Sequence, residues 1–575
     1  MRMFPKTLLV IAVSFSALSG CKRAQHTIRH VASSEPDYTP QIQANVTTGH
    51  IDGLKYPDFT PVQADVSNFY NTREFDLAWV KNGKPTQQAS ALMEEFSNAA
   101  KRGLRPADYD AANWSTRVTN LNTPEGAALF DVAMTVTAIR YLNDVHMGRT
   151  IPTHFAFGVK GYDGKKMDMP TVLKDQVVDA SDIKSAVDKF EPQSPQYKAL
   201  KEALEHYQAL AGQEQMAAGT GQASTLPEID KAAKPTALNS GYAAMTVLAQ
   251  RLGMLGDLPD GDRAPANADE VTEGLKKFQG RHGLTVTGKL SHDTVEALNT
   301  PMSTRVAQIE DSMERWRWLD DSYSNAAIVV NLPEFVLRAY EGTGSDYHEA
   351  FRMNVVDGNS DDETHHTPMI ADMMKYLVFR PFWNVPPSIA KKEIIPHIEK
   401  SSGYLSAKNY ETVDLKGKPA GADLKRIAQG TVMVRQKSGT SNSLGLVKFM
   451  FPNPFNVYLH DTNEKALFAR TRRDNSHGCV RVQDPPKLAD WVLRDNPKWD
   501  ADSIAEAMNG GDDNKSVSLP KPVPVLIFYG TAWAEGGEMH FFKDMYGYDA
   551  EMERSLDGGR PYSSKPEKAV TEKDV

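Results

Sequence analysis

The texture of this chain changes near residue 303, and that change constrains its fold more than any other feature. Before it, apolar residues recur at three- and four-residue spacing, as in helices with one buried face. In "ASALMEEFSNAAKRGL", Leu92, Phe96 and Ala99 fall on one side and Gly103 is placed to stop the helix. "DVAMTVTAIRYLNDVHMG" repeats the pattern with Val132, Val136, Ile139 and Leu142, and His146 near its end reads as a capping or packing residue. After 303 the segments "NAAIVVNLPEFVLRAYE", "MKYLVFRPFWNVP", "LGLVKFMF" and "FNVYLHD" are β-branched, partly alternating and broken by Pro and Asn turns, as strands are. A chain of 575 residues exceeds one ordinary core, so a multidomain α+β protein is expected. Its parts are a helical scaffold over 56–225, a small helical unit over 235–302 and a mainly-β domain over 303–550. The small, polar run "AGQEQMAAGTGQAST" marks a break near 211–225. Residues 388–430 turn helical and then loop-like, and read as an insertion between strands. Residues 21–55 read as a polar tether, and 551–575, charged and poor in large apolar groups, as a disordered tail.

The formal net charge of −9 argues against a nucleic-acid partner, which needs a basic surface. Gly283 to Lys289 spells GxxxxGK, but Leu290 stands where a phosphate loop needs Ser or Thr for magnesium. His365 and His366 lie among acidic residues without a spaced second set of ligands, so they read as a solvated hairpin tip, and no metal or cofactor is expected.

At the N-terminus, Arg2 and Lys6 precede an apolar stretch, Thr7 to Leu18, that is too short to span a bilayer, so 1–20 is expected to be a signal peptide. Leu18-Ser19-Gly20-Cys21 resembles a bacterial lipobox. The resemblance implies cleavage before Cys21, lipidation of its thiol and a periplasmic, membrane-anchored protein; Lys22 favours the outer membrane. The chain has two cysteines. With Cys21 lipidated, Cys479 has no disulfide partner in an oxidising compartment, which points to a thiol kept for its reactivity.

Thiol catalysis needs a cysteine that can be deprotonated, a nearby imidazole, N–H donors for a developing oxyanion, and access. "YLHDTNEKALFARTRRDNSHGCVRVQDP" offers each. Cys479 is the thiol, His460 ends an apolar strand, and His477 stands two residues before the cysteine. Gly478 permits close backbone approach, and the N–H groups of Gly478 and Cys479 are candidate oxyanion donors. Arg470, Arg472, Arg473 and Arg481 make the neighbourhood electropositive.

Ser476-His477-Gly478-Cys479-Val480-Arg481, with His460 upstream, resembles the signature of the L,D-transpeptidase catalytic domain. "ERWRWL", "YLVFRPFWNVPPSIA", "LGLVKFMFPNPFNVYLHDT" and "KDMYGYD" are similar to the larger Gram-negative members. The string around Phe278, Gln279, Gly283, Leu284, Gly288, Thr294, Ala297, Leu298 and Asn299 resembles the three-helix peptidoglycan-binding module, departing from it at Thr287 and Ser291.

The resemblance implies a capping insertion and peptidoglycan stem peptides and glycan as partners. Its chemistry is a two-step acyl transfer, in which Cys479 releases D-Ala from a tetrapeptide donor and forms a 3→3 cross-link. It implies Cys479 as nucleophile and His460 as acid and base. His477 orients the loop or the cysteine, and Gly478 forms the oxyanion hole. Tyr458, Ser476, Arg481, Trp383 and Asn384 line the substrate groove, and the Asp461 carbonyl offers to fix the His460 tautomer. β-Lactams of the carbapenem type are candidate inhibitors. An L,D-carboxypeptidase, a D-amino-acid exchange enzyme and a lipoprotein-anchoring enzyme share this acyl-enzyme. A non-catalytic peptidoglycan-binding lipoprotein would not need His460 and Cys479 together.

Overall fold

A computed structural model describes residues 36–560 except 156, 220–224, 240 and 259–266. The expected signal peptide, Cys21, the tether as far as residue 35 and the tail from 561 lie outside the described residues. The chain divides into two compact units, one formed by residues up to 146 with 166–191, the other by 147–165 with 192 onward.

The first unit is helical. Helices Thr39–Thr48, Gln63–Thr72, Gln87–Ser97 and Pro124–Met147 contribute buried Ile42, Phe69, Leu92, Phe96, Val136 and Ile139 to one core. Part of the expected tether is therefore ordered: Ile42 and Val46, four apart, give residues 39–48 an apolar stripe that the polar composition concealed. Asp131, fully buried, accepts the backbone N–H groups of Ala78 and Trp79 and the Tyr70 hydroxyl, which ties a loop to the long helix. Gly103 adopts φ +65° after the turn Ala99–Arg102, the stop expected of it. His146 donates from Nδ1 to the Phe190 carbonyl, a structural bond.

The second unit begins within the span expected to be scaffold. Helix Pro195–Gly219 packs against helix Met302–Arg317. Glu314 of the latter is fully buried, with Arg317 at 3.2 Å and the Thr150 N–H at 2.8 Å. Helices Met245–Met254, Ala268–Arg281 and His292–Asn299 bury Leu248, Leu252, Leu275, Phe278, Val295 and Leu298 in the same core. Asn267 and Ser291 cap the second and third of these helices by accepting from Glu270 N and Thr294 N. The Gln279 side-chain Oε1 accepts from Thr287 N and Gly288 N, which pins the intervening turn.

The β region is a closed barrel. Its strands are β1 (Ile328–Asn331), β2 (Val336–Glu341), β3 (His348–Gly358), β4 (Ile370–Phe379), β5 (Val447–Met450), β6 (Leu459–His460), β7 (Val480–Val482) and β8 (Lys515–Phe528). Around the ring they run β5-β6-β7-β3-β2-β1-β8-β4, and β4 pairs again with β5, so no edge of the ring is left open. The pairs β6–β7 and β1–β8 are parallel, the rest antiparallel.

Between β4 and β5 the chain leaves the barrel and builds a small sheet in the order Trp383–Asn384, Val432–Gln436, Tyr410–Asp414. Short helices and Val385, Ala390, Ile394, Ile427, Val432 and Val434 give this insertion its own core. It thus spans more than the expected 388–430: its first strand reads in sequence as part of the barrel segment that holds Trp383, and its last, Val432–Gln436, lies just past the expected end. Helix Tyr548–Asp557 corrects the start of the expected tail: Met552 and Leu556, four apart, are buried.

Candidate active site

The site is built by strand alternation. In parallel register Leu459 faces Val480 and His460 faces Arg481, while Lys448 of β5 faces His460 on the other side. Leu459 and Val480 are fully buried in the barrel core. Successive strand residues point to opposite faces, so Lys448, Tyr458, His460, Cys479 and Arg481 share the other face. A parallel pair needs a crossover, supplied by residues 461–479. Their strand Asp474–Ser476 pairs with the end of β3, Asp474 beside Asp357 and Ser476 beside Gly358.

This crossover delivers the cysteine on a fixed turn. Ser476 Oγ donates to the Cys479 carbonyl at 2.6 Å and accepts from Gly478 N at 3.1 Å. Thr367 Oγ1 donates to the Gly478 carbonyl at 2.9 Å. Gly478 has φ +109°, a conformation that L side chains rarely adopt. Its N–H, expected as an oxyanion donor, is engaged with Ser476 Oγ within the turn. The Cys479 N–H donates to no group among the described residues.

Cys479 is half-buried, with Sγ 3.7 Å from the Asn456 carbonyl. Burial pushes its thiol up to about 11, opposed by the Tyr458 backbone and hydroxyl and by the charges of Lys448 and Arg481. His460 is buried and its Nδ1 donates to the Asp461 carbonyl at 2.5 Å, the tautomer-fixing contact the sequence suggested; Nε2 is then the basic nitrogen. Burial, with help from Arg481 and Lys448, drives the imidazole down to about 3. Burial thus favours the neutral form of both groups. The Tyr458 ring stands edge-on to His460 at 5.7 Å between centroids.

Other expected residues are placed differently. His477 turns to the insertion, its Nε2 at 2.7 Å from Glu393 Oε1 and its ring against His365 at 4.7 Å, so its partners are those groups and not the thiol. His365 and His366 are not a solvated tip: His366 stacks on Tyr546 at 4.2 Å, and both are partly buried beside the cysteine turn. Two of the four arginines are structural. Arg473 donates to the carbonyls of Val355 and Phe335, and Arg472 pairs with Asp474 at 2.7 Å. Arg481 stays near the thiol and is ion-paired with Glu464. Trp383 and Asn384 sit in the inserted sheet opposite Gln436 and Arg435, not on the strand face that carries Cys479. Lys448 belongs to no motif, although the alternation Val447, Lys448, Phe449 signals it.

Two family models match the chain: the Scaffold domain over residues 64–204 and the L,D-transpeptidase catalytic domain over 325–525. The second match contains barrel strands β1 to β7, most of β8, the insertion and Cys479. A protein of Haemophilus influenzae named "Putative L,D-transpeptidase" is 30% identical over 243 residues, which are 42% of this chain and 47% of that protein. The chain thus spans about half the length of that curated relative. The catalytic-domain match and the named relative agree with the Ser476–Arg481 motif, so residues 325–525 are similar to an L,D-transpeptidase catalytic domain.

Proposed function

We propose that the protein is a cell-wall transpeptidase that forms 3→3 peptidoglycan cross-links through an acyl-enzyme on Cys479. The observation that carries this reading is the shared strand face holding Cys479, Tyr458 and His460, with the Cys479 N–H free. In acylation His460 Nε2 takes the thiol proton as Sγ attacks the carbonyl that joins the third stem residue, a diaminopimelate, to the terminal D-Ala. The Cys479 N–H holds the oxyanion. The C–N bond then breaks, and the D-Ala amine leaves with the proton carried by His460. In the second step His460 takes a proton from the side-chain amine of another stem's diaminopimelate as that amine attacks the thioester. The C–S bond breaks and the proton returns to Sγ. Burial favours the neutral form of both groups, which supports reading His460 as a general base during attack.

The insertion is read as a cap over the donor site, supported by the His477–Glu393 contact. The three helices between 245 and 299 are read as a peptidoglycan-binding module. The N-terminal sequence supports a lipid anchor on Cys21 and a periplasmic, outer-membrane location, and carbapenems are expected to acylate Cys479. Disaccharide-tetrapeptide incubated with wild type and Cys479→Ala tests the reaction. Cross-linked dimer with free D-Ala, absent from the variant, is the expected product. Tripeptide and D-Ala without dimer would make the enzyme an L,D-carboxypeptidase, with water as acceptor.

A further inference from the structure

Lys448 is the one site residue that neither the motif nor the proposed chemistry uses. It lies opposite His460 in the β5–β6 pair, between fully buried Val447 and Phe449, so its side chain emerges on the face of Cys479. Its Nζ stands 5.4 Å from the centroid of the Tyr458 ring, and Tyr458 borders the thiol. The neighbouring cations have carboxylate partners: Arg481 has Glu464, and Lys465 has Asp461 at 2.5 Å. Among the described residues Lys448 has none, and it is partly buried. A long stem that merely covers apolar surface normally delivers its head to water. Here the ammonium is held beside a thiol, where an unpaired charge loses hydration without gaining a counter-ion.

We propose that Lys448 is the charge partner of the Cys479 thiolate, the cation against which negative charge forms when the proton leaves. In that step the S–H bond breaks, the proton passes to His460 Nε2, the electron pair stays on Sγ, and Lys448 keeps its own protons. The ammonium also disfavours protonation of His460, so it holds that residue in the proton-accepting form. The other titratable or charged groups on this face are Tyr458 and Arg481, the latter offset by Glu464. The proposal deepens the reading of Cys479 as nucleophile, but its test needs no peptidoglycan.

The test is a pH titration of thiolate ultraviolet absorbance in the full chain, each trace taken as the difference from Cys479→Ala carrying the same residue at 448. Lys448→Met is expected to raise the thiol pKa by about one unit, which cuts the thiolate fraction at neutral pH about tenfold. Lys448→Arg is expected to restore it. Lys448→Gln gives the same reading if the Met variant fails to fold. An unchanged titration in Met or Gln overturns the proposal. So does an unchanged titration with a raised KM for the tetrapeptide donor, which would assign the ammonium to a substrate carboxylate. If cross-linking fails while the titration shifts, the transpeptidase reading falls and the charge partnership stands.

Discussion

The barrel and its insertion differ in how they are held. The barrel closes on itself, and strands from every part of the ring, including Val330, Leu337, Val355, Leu377, Phe449 and Ile527, meet in one core. The insertion holds its short helices and three-stranded sheet around six buried side chains, two of them in one strand. A small core offsets less conformational entropy, so the insertion is the part expected to open first. Yet one of its side chains, Glu393, touches the motif loop at His477. The barrel fixes where the thiol and imidazole stand, while the insertion reaches the motif loop through this contact.

The comparison can be broken at several points. Cys479→Ala should lower acyl transfer by about 10⁴-fold or more without unfolding the barrel; retained turnover would remove the nucleophile from the account. His460→Gln should cost about 10²–10⁴-fold in the acylation rate, read by single-turnover kinetics. In the barrel core, Ile527→Ala should cost about 2–5 kcal/mol in global denaturant unfolding. Val434→Ala in the insertion should instead speed hydrogen exchange locally over 385–436 and leave the barrel's unfolding midpoint nearly unchanged; equal effects would deny that the two regions open separately. His460 also gives a pH signature. Its folded pKa is depressed to about 3, so the unfolded state binds the extra proton between that value and its ordinary one near 6.5. Stability should therefore fall as pH drops through this window, more in wild type than in His460→Gln, measured by denaturant melts. The smallest effect is expected of Glu393→Gln, a loss within about 1 kcal/mol that shows in exchange over the insertion's first helices rather than in the thiol pKa.

Much of this organisation was legible in the sequence because it depends on periodicity. Leu92, Phe96 and Ala99 are buried as their spacing required, and Leu459 and Val480 alternate with the site residues as strand residues should. His460 and Cys479 were legible because a motif fixed their types. What escaped depended on contacts between distant segments. Nothing local to Gly478 reveals that Ser476 Oγ takes its N–H, or that His477 faces Glu393, a residue far back in the chain. The insertion's outer strands escaped because Trp383 and Val432 have strand texture, and only pairing assigns them to a separate sheet. Helix Thr39–Thr48 escaped because two apolar residues in a polar run are a weak signal until the core they enter is known.

The most direct measurement is intact-mass spectrometry of the protein incubated with tetrapeptide donor and no acceptor amine, followed by peptide mapping. A tripeptidyl adduct on Cys479, formed with one equivalent of D-Ala and absent from Cys479→Ala, is the result expected of an acyl-enzyme on this strand face. Full release of D-Ala by the Cys479→Ala variant, or an adduct on another residue, would contradict it.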